Sequence, residues 1–193
     1  KDFIAEGVAL GAIKYQILSQ NRETNLTFDL DRMLSLDGNT APYLQYSYAR
    51  AESILRKAKE LAPPEPPVKP PKIPAGVDES QTDLFSLVAE HTQAEPSESP
   101  SAQLQDPSEV ALAHLLVKFP ETIEAAAESY KPNLISTYLF ELAQSFNGFY
   151  QEVKVLNTED TELRQSRLNL VAAFAQVLKN GLHLLGITAF EKM

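Results

Sequence analysis

An all-α bundle of four or five helices, preceded by a further helical segment, is the fold this sequence predicts. Three observations lead there. Apolar residues recur at three- and four-residue spacing through the long segments. Those segments are bounded by recognisable helix starts and stops. Nothing in the chain resembles a sheet. With 193 residues, 44% of them hydrophobic, the chain has length for one large domain or two small ones and material for a real core.

In chain order, residues 1–20 predict a helix with Phe3, Ile4, Val8, Leu10, Ile13, Ile17 and Leu18 as its apolar stripe. Gly7 and Gly11 in that helix permit close packing against a neighbour. Residues 21–25 are a loop, 26–29 a short extended piece, and Asp31–Leu36 a helical turn. Asp37-Gly38-Asn39-Thr40 is a turn, because Gly and Asn tolerate positive φ. Pro42 then sits at a helix start, where its missing N–H is harmless, and no breaker follows until about Leu61. In this helix Leu44, Tyr48, Ala51, Leu55 and Ala58 fall on a core face, and Tyr43, Tyr46, Arg50 and Lys57 on another.

Residues 62–107 read differently. Ten of the 13 prolines fall there, and the stretch cannot bury enough apolar surface to fold alone. It predicts a Pro-rich acidic linker containing one apolar island, residues 83–90, for which a docked short helix and a transient one remain equally open. Asp106-Pro107-Ser108-Glu109 is a helix start with a capping box, and Leu112, Leu115, Leu116 and Phe119 share one face beyond it. Pro120 starts a helix over Glu121–Tyr130, and Lys131-Pro132 breaks it. Residues 133–150 form a helix with Leu134, Tyr138, Leu142, Phe146 and Phe149 inward. After a loop ending at Asp160, Thr161–Leu185 is a long helix with Leu168, Val171, Phe174, Ala175, Leu178, Leu182 and Leu185 inward. Gly186 is placed to end it in a left-handed conformation.

The composition narrows the function. There is no cysteine, hence no disulfide framework and no thiolate metal site. His91, His114 and His183 are far apart and read as surface or half-buried residues. No apolar run is long enough to span a membrane. The first residues, Lys1-Asp2-Phe3, carry neither an initiator Met nor a signal-peptide pattern, so a fragment or processed chain in a cytoplasmic compartment is expected. A formal net charge of −9 argues against nucleic acid, but its distribution does not. Residues 1–61 are neutral overall, 62–107 carry −6 and 108–193 carry −3. Arg50, Arg56, Lys57 and Lys59 face a single acid, Glu52, between Tyr43 and Lys59, so a local basic face survives. There is no phosphate loop, metal-ligand cluster or nucleophile beside a histidine. The chain is therefore a binding module, and an RNA-binding helical domain and a protein–protein adapter both remain open. By spacing alone the Tyr43/Tyr46/Arg50 face is most simply a solvated helix surface.

Several motifs then share one resemblance. Phe28-Asp29, Leu34-Ser35, Gly38-Asn39-Thr40-Ala41-Pro42-Tyr43, Gln45-Tyr46 and Ala49-Arg50 resemble the segment of arginyl-tRNA synthetases that joins the catalytic domain to the C-terminal helical domain. Gly11-Ala12-Ile13-Lys14-Tyr15 resembles the helix before it. Tyr138–Ala143 with Phe146 and Phe149-Tyr150, and Val177–Leu182 with Leu184–Ile187 and the ending at Met193, resemble the helical domain itself. Three positions depart from the family: Ala41 stands for a frequent Gly, Tyr48 for a frequent His and Phe190 for a frequent Pro.

The resemblance implies a C-terminal part, with residues 1–42 ending the catalytic domain and 43–193 forming a helical anticodon-binding bundle of the type named for Asp-Ala-Leu-Arg (DALR), interrupted by 62–107. It implies tRNA for arginine as partner, held by its anticodon stem and loop, a missing N-terminal catalytic domain, a monomeric state and no membrane. The class I signatures would lie before residue 1, so no catalytic residue and no cofactor is expected here. ATP and Mg2+ are implied for the full-length enzyme alone, and this part by itself is expected to be inactive. The implied means are stacking of splayed bases on aromatic rings and cations on phosphates. Tyr43, Tyr46, Arg50, Arg56 and Lys57 are the main candidate tRNA-binding residues, followed by Asn39 and Gln45, then Lys179, Asn180 and Met193. The competing adapter reading gives the Pro-rich segment a recruiting role. Deleting residues 63–105 should then abolish partner capture while tRNA charging by the full-length enzyme persists; loss of charging would contradict that role.

Overall fold

A computed structural model describes residues 2–61, 104 and 106–193. Among them the elements are α1 (Asp2–Leu18), α2 (Leu30–Met33), α3 (Ala41–Leu61), α4 (Pro107–Val117), α5 (Phe119–Ser129), α6 (Pro132–Glu152) and α7 (Thr161–Leu184), with no strand. The expected extended piece at 26–29 is therefore irregular, and its last residue caps α2: Asp29 accepts a hydrogen bond from the Arg32 N–H at 3.1 Å. The apolar island 83–90, His91 and nearly all of the Pro-rich stretch lie outside the described residues.

Local chemistry sets the helix ends. Gly38 turns the chain at φ +83°. The Thr40 hydroxyl then receives the Tyr43 N–H at 3.3 Å while donating to the Ser35 carbonyl at 2.7 Å, which starts α3. At α4 both halves of the capping box are made: Asp106 accepts from the Ser108 N–H, and Glu109 receives the Asp106 N–H at 3.0 Å. The Ser108 hydroxyl and N–H hold the Asp106 carboxyl below its ordinary pKa. What the cap contributes is therefore complete above the ordinary Asp value and is lost as pH falls through the lowered one. Asp160 caps α7 through the N–H groups of Glu162 and Leu163. Gly186 ends that helix at φ +67°. Between α5 and α6 the left-handed residue is Tyr130 at φ +55°, an uncommon conformation for a bulky side chain. Its N–H and that of Lys131 close the α5 end on the Ala127 and Ala126 carbonyls.

Helix α6 is the centre of the bundle and touches α1, α3, α4, α5 and α7. Its Leu139, Leu142, Ala143, Phe146 and Phe149 are completely buried. Phe146 stacks on Phe174 of α7 with ring centroids 3.8 Å apart and planes within 5°. Tyr138 seats its hydroxyl on the Leu115 carbonyl of α4 at 2.9 Å, and burial pushes its pKa up to about 12. The expected inward face of α3 is realised at Leu44, Tyr48 and Ala51, and only partly at Leu55 and Ala58.

Helix α1 corrects the expected stripe. Phe3, Leu10, Ile13 and Ile17 are 41–72% exposed, and the buried residues are Gly11, Ala12 and Tyr15. Small residues win this face because two neighbours approach closely. A Cβ at Gly11 would come within 3.2 Å of both Gln45 and Ile187, and one at Gly7 would run into the Phe190 ring. The segment 185–193 is thus a docked strap. Phe190 lies edge-on to Phe3 at 5.9 Å, and Lys14 donates to the Gly186 carbonyl at 2.5 Å. The Tyr15 hydroxyl reaches the Ser136 carbonyl of α6 at 2.9 Å and Asn39 Oδ1 at 2.5 Å.

One ion pair stands out inside the bundle. Glu109 is fully buried, and Arg167 of α7 meets it at 2.5 Å while also donating to Thr158 and Lys154. Arg167→Met is expected to lower stability by about 3 kcal/mol, read from the urea midpoint, because it removes the cation paired with a buried carboxylate. Two glycines give opposite expectations. A Cβ at Gly148 meets nothing within 4 Å, so Gly148→Ala should stabilise α6 by about 0.5–1 kcal/mol. A Cβ at Gly181 collides with the buried Leu139 side chain. Gly181→Ala should therefore lower stability by about 1 kcal/mol in the same measurement, overpacking outweighing the gain in helix propensity.

Candidate nucleic-acid interface

One edge of α3, from the buried Ser47 to the exposed Tyr46, runs beside the flank of α6 that is left half open. On α3 it carries Tyr43, Tyr46, Ser47 and Arg50, and on α6 Asn147 and Tyr150. The Arg50 guanidinium carbon lies 4.8 Å from the Tyr46 ring centroid and 5.2 Å from that of Tyr150. Both distances lie within cation–π range. Arg50 Nη1 donates to Asn147 Oδ1 at 2.6 Å. The Asn147 amide nitrogen donates to the Tyr43 hydroxyl at 2.8 Å and to Ser47 Oγ at 3.1 Å. Ser47 in turn donates to the Tyr43 carbonyl at 2.9 Å.

The two exposed rings are Tyr46 and Tyr150, at 42% and 43% exposure. They open onto a cleft of about 470 Å³ between α3, the end of α6 and the strap. Its lining carries four cations, Arg50, Arg56, Lys57 and Lys192, against one acid, Glu191. Met193 closes the far side and is 47% exposed. A cationic trough with flat aromatic faces suits single-stranded RNA, whose bases stack while its phosphates seek positive charge.

The sequence candidates separate on this geometry. Tyr46, Arg50, Arg56, Lys57 and Met193 all line the cleft. Tyr43 is half-buried, its ring edge against Phe140 at 5.7 Å and its hydroxyl held by Asn147. Asn39 is exposed on the turn and accepts from the Tyr15 hydroxyl, so it anchors α1 to the turn. Gln45 is fully buried and donates to the Thr188 carbonyl at 2.8 Å, which fastens the strap to α3. A base has no path to its amide in this arrangement. Its Oε1 has no hydrogen-bond partner among the described residues. Lys179 and Asn180 are exposed on α7 but do not line the cleft, and Asn180 accepts from Gln176.

Sequence reasoning did not name Asn147, Tyr150, Ser47 or Lys192 as candidate tRNA-binding residues. The first two sit at one- and four-residue offsets from Phe146, beside the core stripe of α6, so a helical wheel places them at its margin. That they meet Arg50, 97 positions away in the chain for Asn147, is not a local signal. No group of three His, Cys, Asp or Glu side chains able to hold a metal ion lies among the described residues. No helix there is long and apolar enough to cross a membrane.

Comparison with known proteins places this chain in a family. The family model described as "DALR anticodon binding domain" matches residues 82–193. The arginine–tRNA ligase of Proteus mirabilis is 40% identical over 191 residues, which is 98% of this chain and 27% of the relative. That of Yersinia pseudotuberculosis serotype O:3 is 38% identical over 190 residues, with the same coverage of each chain. Among solved structures, Thermus thermophilus arginyl-tRNA synthetase superposes with a TM-score of 0.72 at 33% identity, covering 98% of this chain and 27% of its own. The Plasmodium falciparum arginyl-tRNA synthetase gives 0.71 at 26% identity, covering 100% and 28%. The chain thus spans little more than a quarter of the length of the relatives it matches. With its family model covering more than half of it, this chain belongs to the DALR anticodon-binding domain family.

Proposed function

We propose that this chain is the tRNA-holding part of an arginine–tRNA ligase, gripping the anticodon stem and loop in the cleft between α3, α6 and the strap. The observation that carries this is the Arg50 guanidinium set between the Tyr46 and Tyr150 rings at the mouth of a cationic cleft. The rings offer stacking faces, each worth on the order of 1–3 kcal/mol per base. Arg56, Lys57 and Lys192 supply charge for the phosphates. Met193 offers an apolar contact, and Tyr43 supports the platform from below through Asn147 and Phe140.

In this reading attachment of arginine at the expense of ATP belongs to a catalytic part N-terminal to α1, and residues 1–42 are the end of that part. ATP and Mg2+ would serve there. This chain's own task is to hold one end of the tRNA so that the other reaches the catalytic part. The protein acts as a monomer in the cytoplasm.

The full chain is expected to bind an arginine-accepting tRNA with an affinity that falls as salt rises. Tyr46→Ala should weaken binding by about 5- to 150-fold, the equivalent of one lost stacking face. Lys57→Met should weaken it less and lower the slope of log affinity against log salt by about 0.7–1. Filter binding or fluorescence anisotropy across a salt series reads all three. No binding at tens of micromolar, or binding indifferent to salt, overturns the proposal.

A further inference from the structure

Asn147 joins the two halves of the interface, bonding from α6 to three side chains of α3. Its carbonyl oxygen faces Arg50 Nη1 at 2.6 Å, and its nitrogen faces the Tyr43 hydroxyl at 2.8 Å and Ser47 Oγ at 3.1 Å. The neighbours dictate this orientation. Arg50 is a donor only, so the oxygen must face it. Ser47 already donates to the Tyr43 carbonyl, so its oxygen is left to accept from the amide. Both amide protons are thereby engaged, and Asn147 is locked across α3 at three positions, 43, 47 and 50, that share one face.

We propose that Asn147 is a positioning residue for RNA: it holds Arg50 by one nitrogen, between the two tyrosine rings, so that the rest of the guanidinium fork presents paired donors to an RNA phosphate at the cleft. This deepens the tRNA-holding reading and rests on it. The planar fork has five N–H donors, and Asn147 takes one of them. Rings near 5 Å on Tyr46 and Tyr150 keep the fork from swinging out of plane. The fork's remaining edge matches a phosphate's two oxygens, a bidentate pairing that demands a fixed donor geometry. Arg50 would otherwise have a long, rotamer-rich side chain to immobilise on binding. Tyr43, whose hydroxyl accepts from Asn147, keeps its own O–H proton available to a neighbouring acceptor.

The test is a double-mutant cycle on the full chain, with the isolated anticodon stem-loop of an arginine-accepting tRNA as the probe. Asn147→Ala should weaken binding about tenfold while the thermal melt stays cooperative. Arg50→Met should weaken it by at least as much and lower the salt slope by about 0.7–1. The double variant should bind no more weakly than Arg50→Met alone, because a positioning residue has nothing left to position. Additive losses, or unaltered binding in Asn147→Ala, overturn the role of Asn147 and leave the tRNA-holding reading intact. A parent chain that does not bind the stem-loop overturns both. If Asn147→Ala loses the cooperative melt, Asn147→Ser takes its place in the cycle, with the same outcomes deciding.

Discussion

The burial of α6 is the constraint on which the rest of the molecule depends. Five other helices lean on it, and its Leu139, Leu142, Ala143, Phe146 and Phe149 are closed off from water. The Phe146–Phe174 stack binds it to α7, and the Tyr138 hydroxyl binds it to α4. Aromatic side chains contribute large buried areas, so this one helix carries much of the hydrophobic stabilisation. With most of its circumference committed, α6 has one half-open flank, and Asn147 and Tyr150 occupy it. The proposed interface lies where the core leaves room for it.

The strap explains why that interface is a cleft and not a flat face. Residues 185–193 turn back at Gly186, bury Ile187 and Phe190, and accept the Gln45 amide at Thr188. Phe190 fits only because residue 7 has no side chain. The docking brings Glu191, Lys192 and Met193 opposite Tyr46 and Arg50 and forms the far wall. Gln45 thus holds a wall of the cleft in place from inside the fold.

Charge is arranged in the same spirit. The chain as a whole carries −9, yet the cleft lining has four cations and one acid. The acids of α4 and α7 are used locally instead. Glu109 is paired with Arg167 in the interior, and Asp106 and Asp160 cap helix starts. Net charge is therefore a poor guide to the partner of a protein that carries −6 of its −9 between positions 62 and 107. The local balance beside exposed rings is the informative quantity.

What the sequence by itself determined is what local chemistry encodes. Caps and breaks act within one turn, so Asp106, Pro120, Asp160 and Gly186 mark helix ends wherever the rest of the chain goes. The apolar stripes of α3, α6 and α7 were legible for the same reason, as were the cations and rings along α3. What only the tertiary structure decided concerns partners distant in the chain. Gln45 looks like one more polar residue of the exposed face until Thr188, 143 positions on, takes its amide. Tyr43 looks like a stacking face until Asn147 and Phe140 hold it. The apolar stripe of α1 looks like its core face until Gly7 and Gly11 prove to be where the strap and α3 approach. Periodicity says which residues share a face, but which face is covered depends on the shape of the neighbour that meets it.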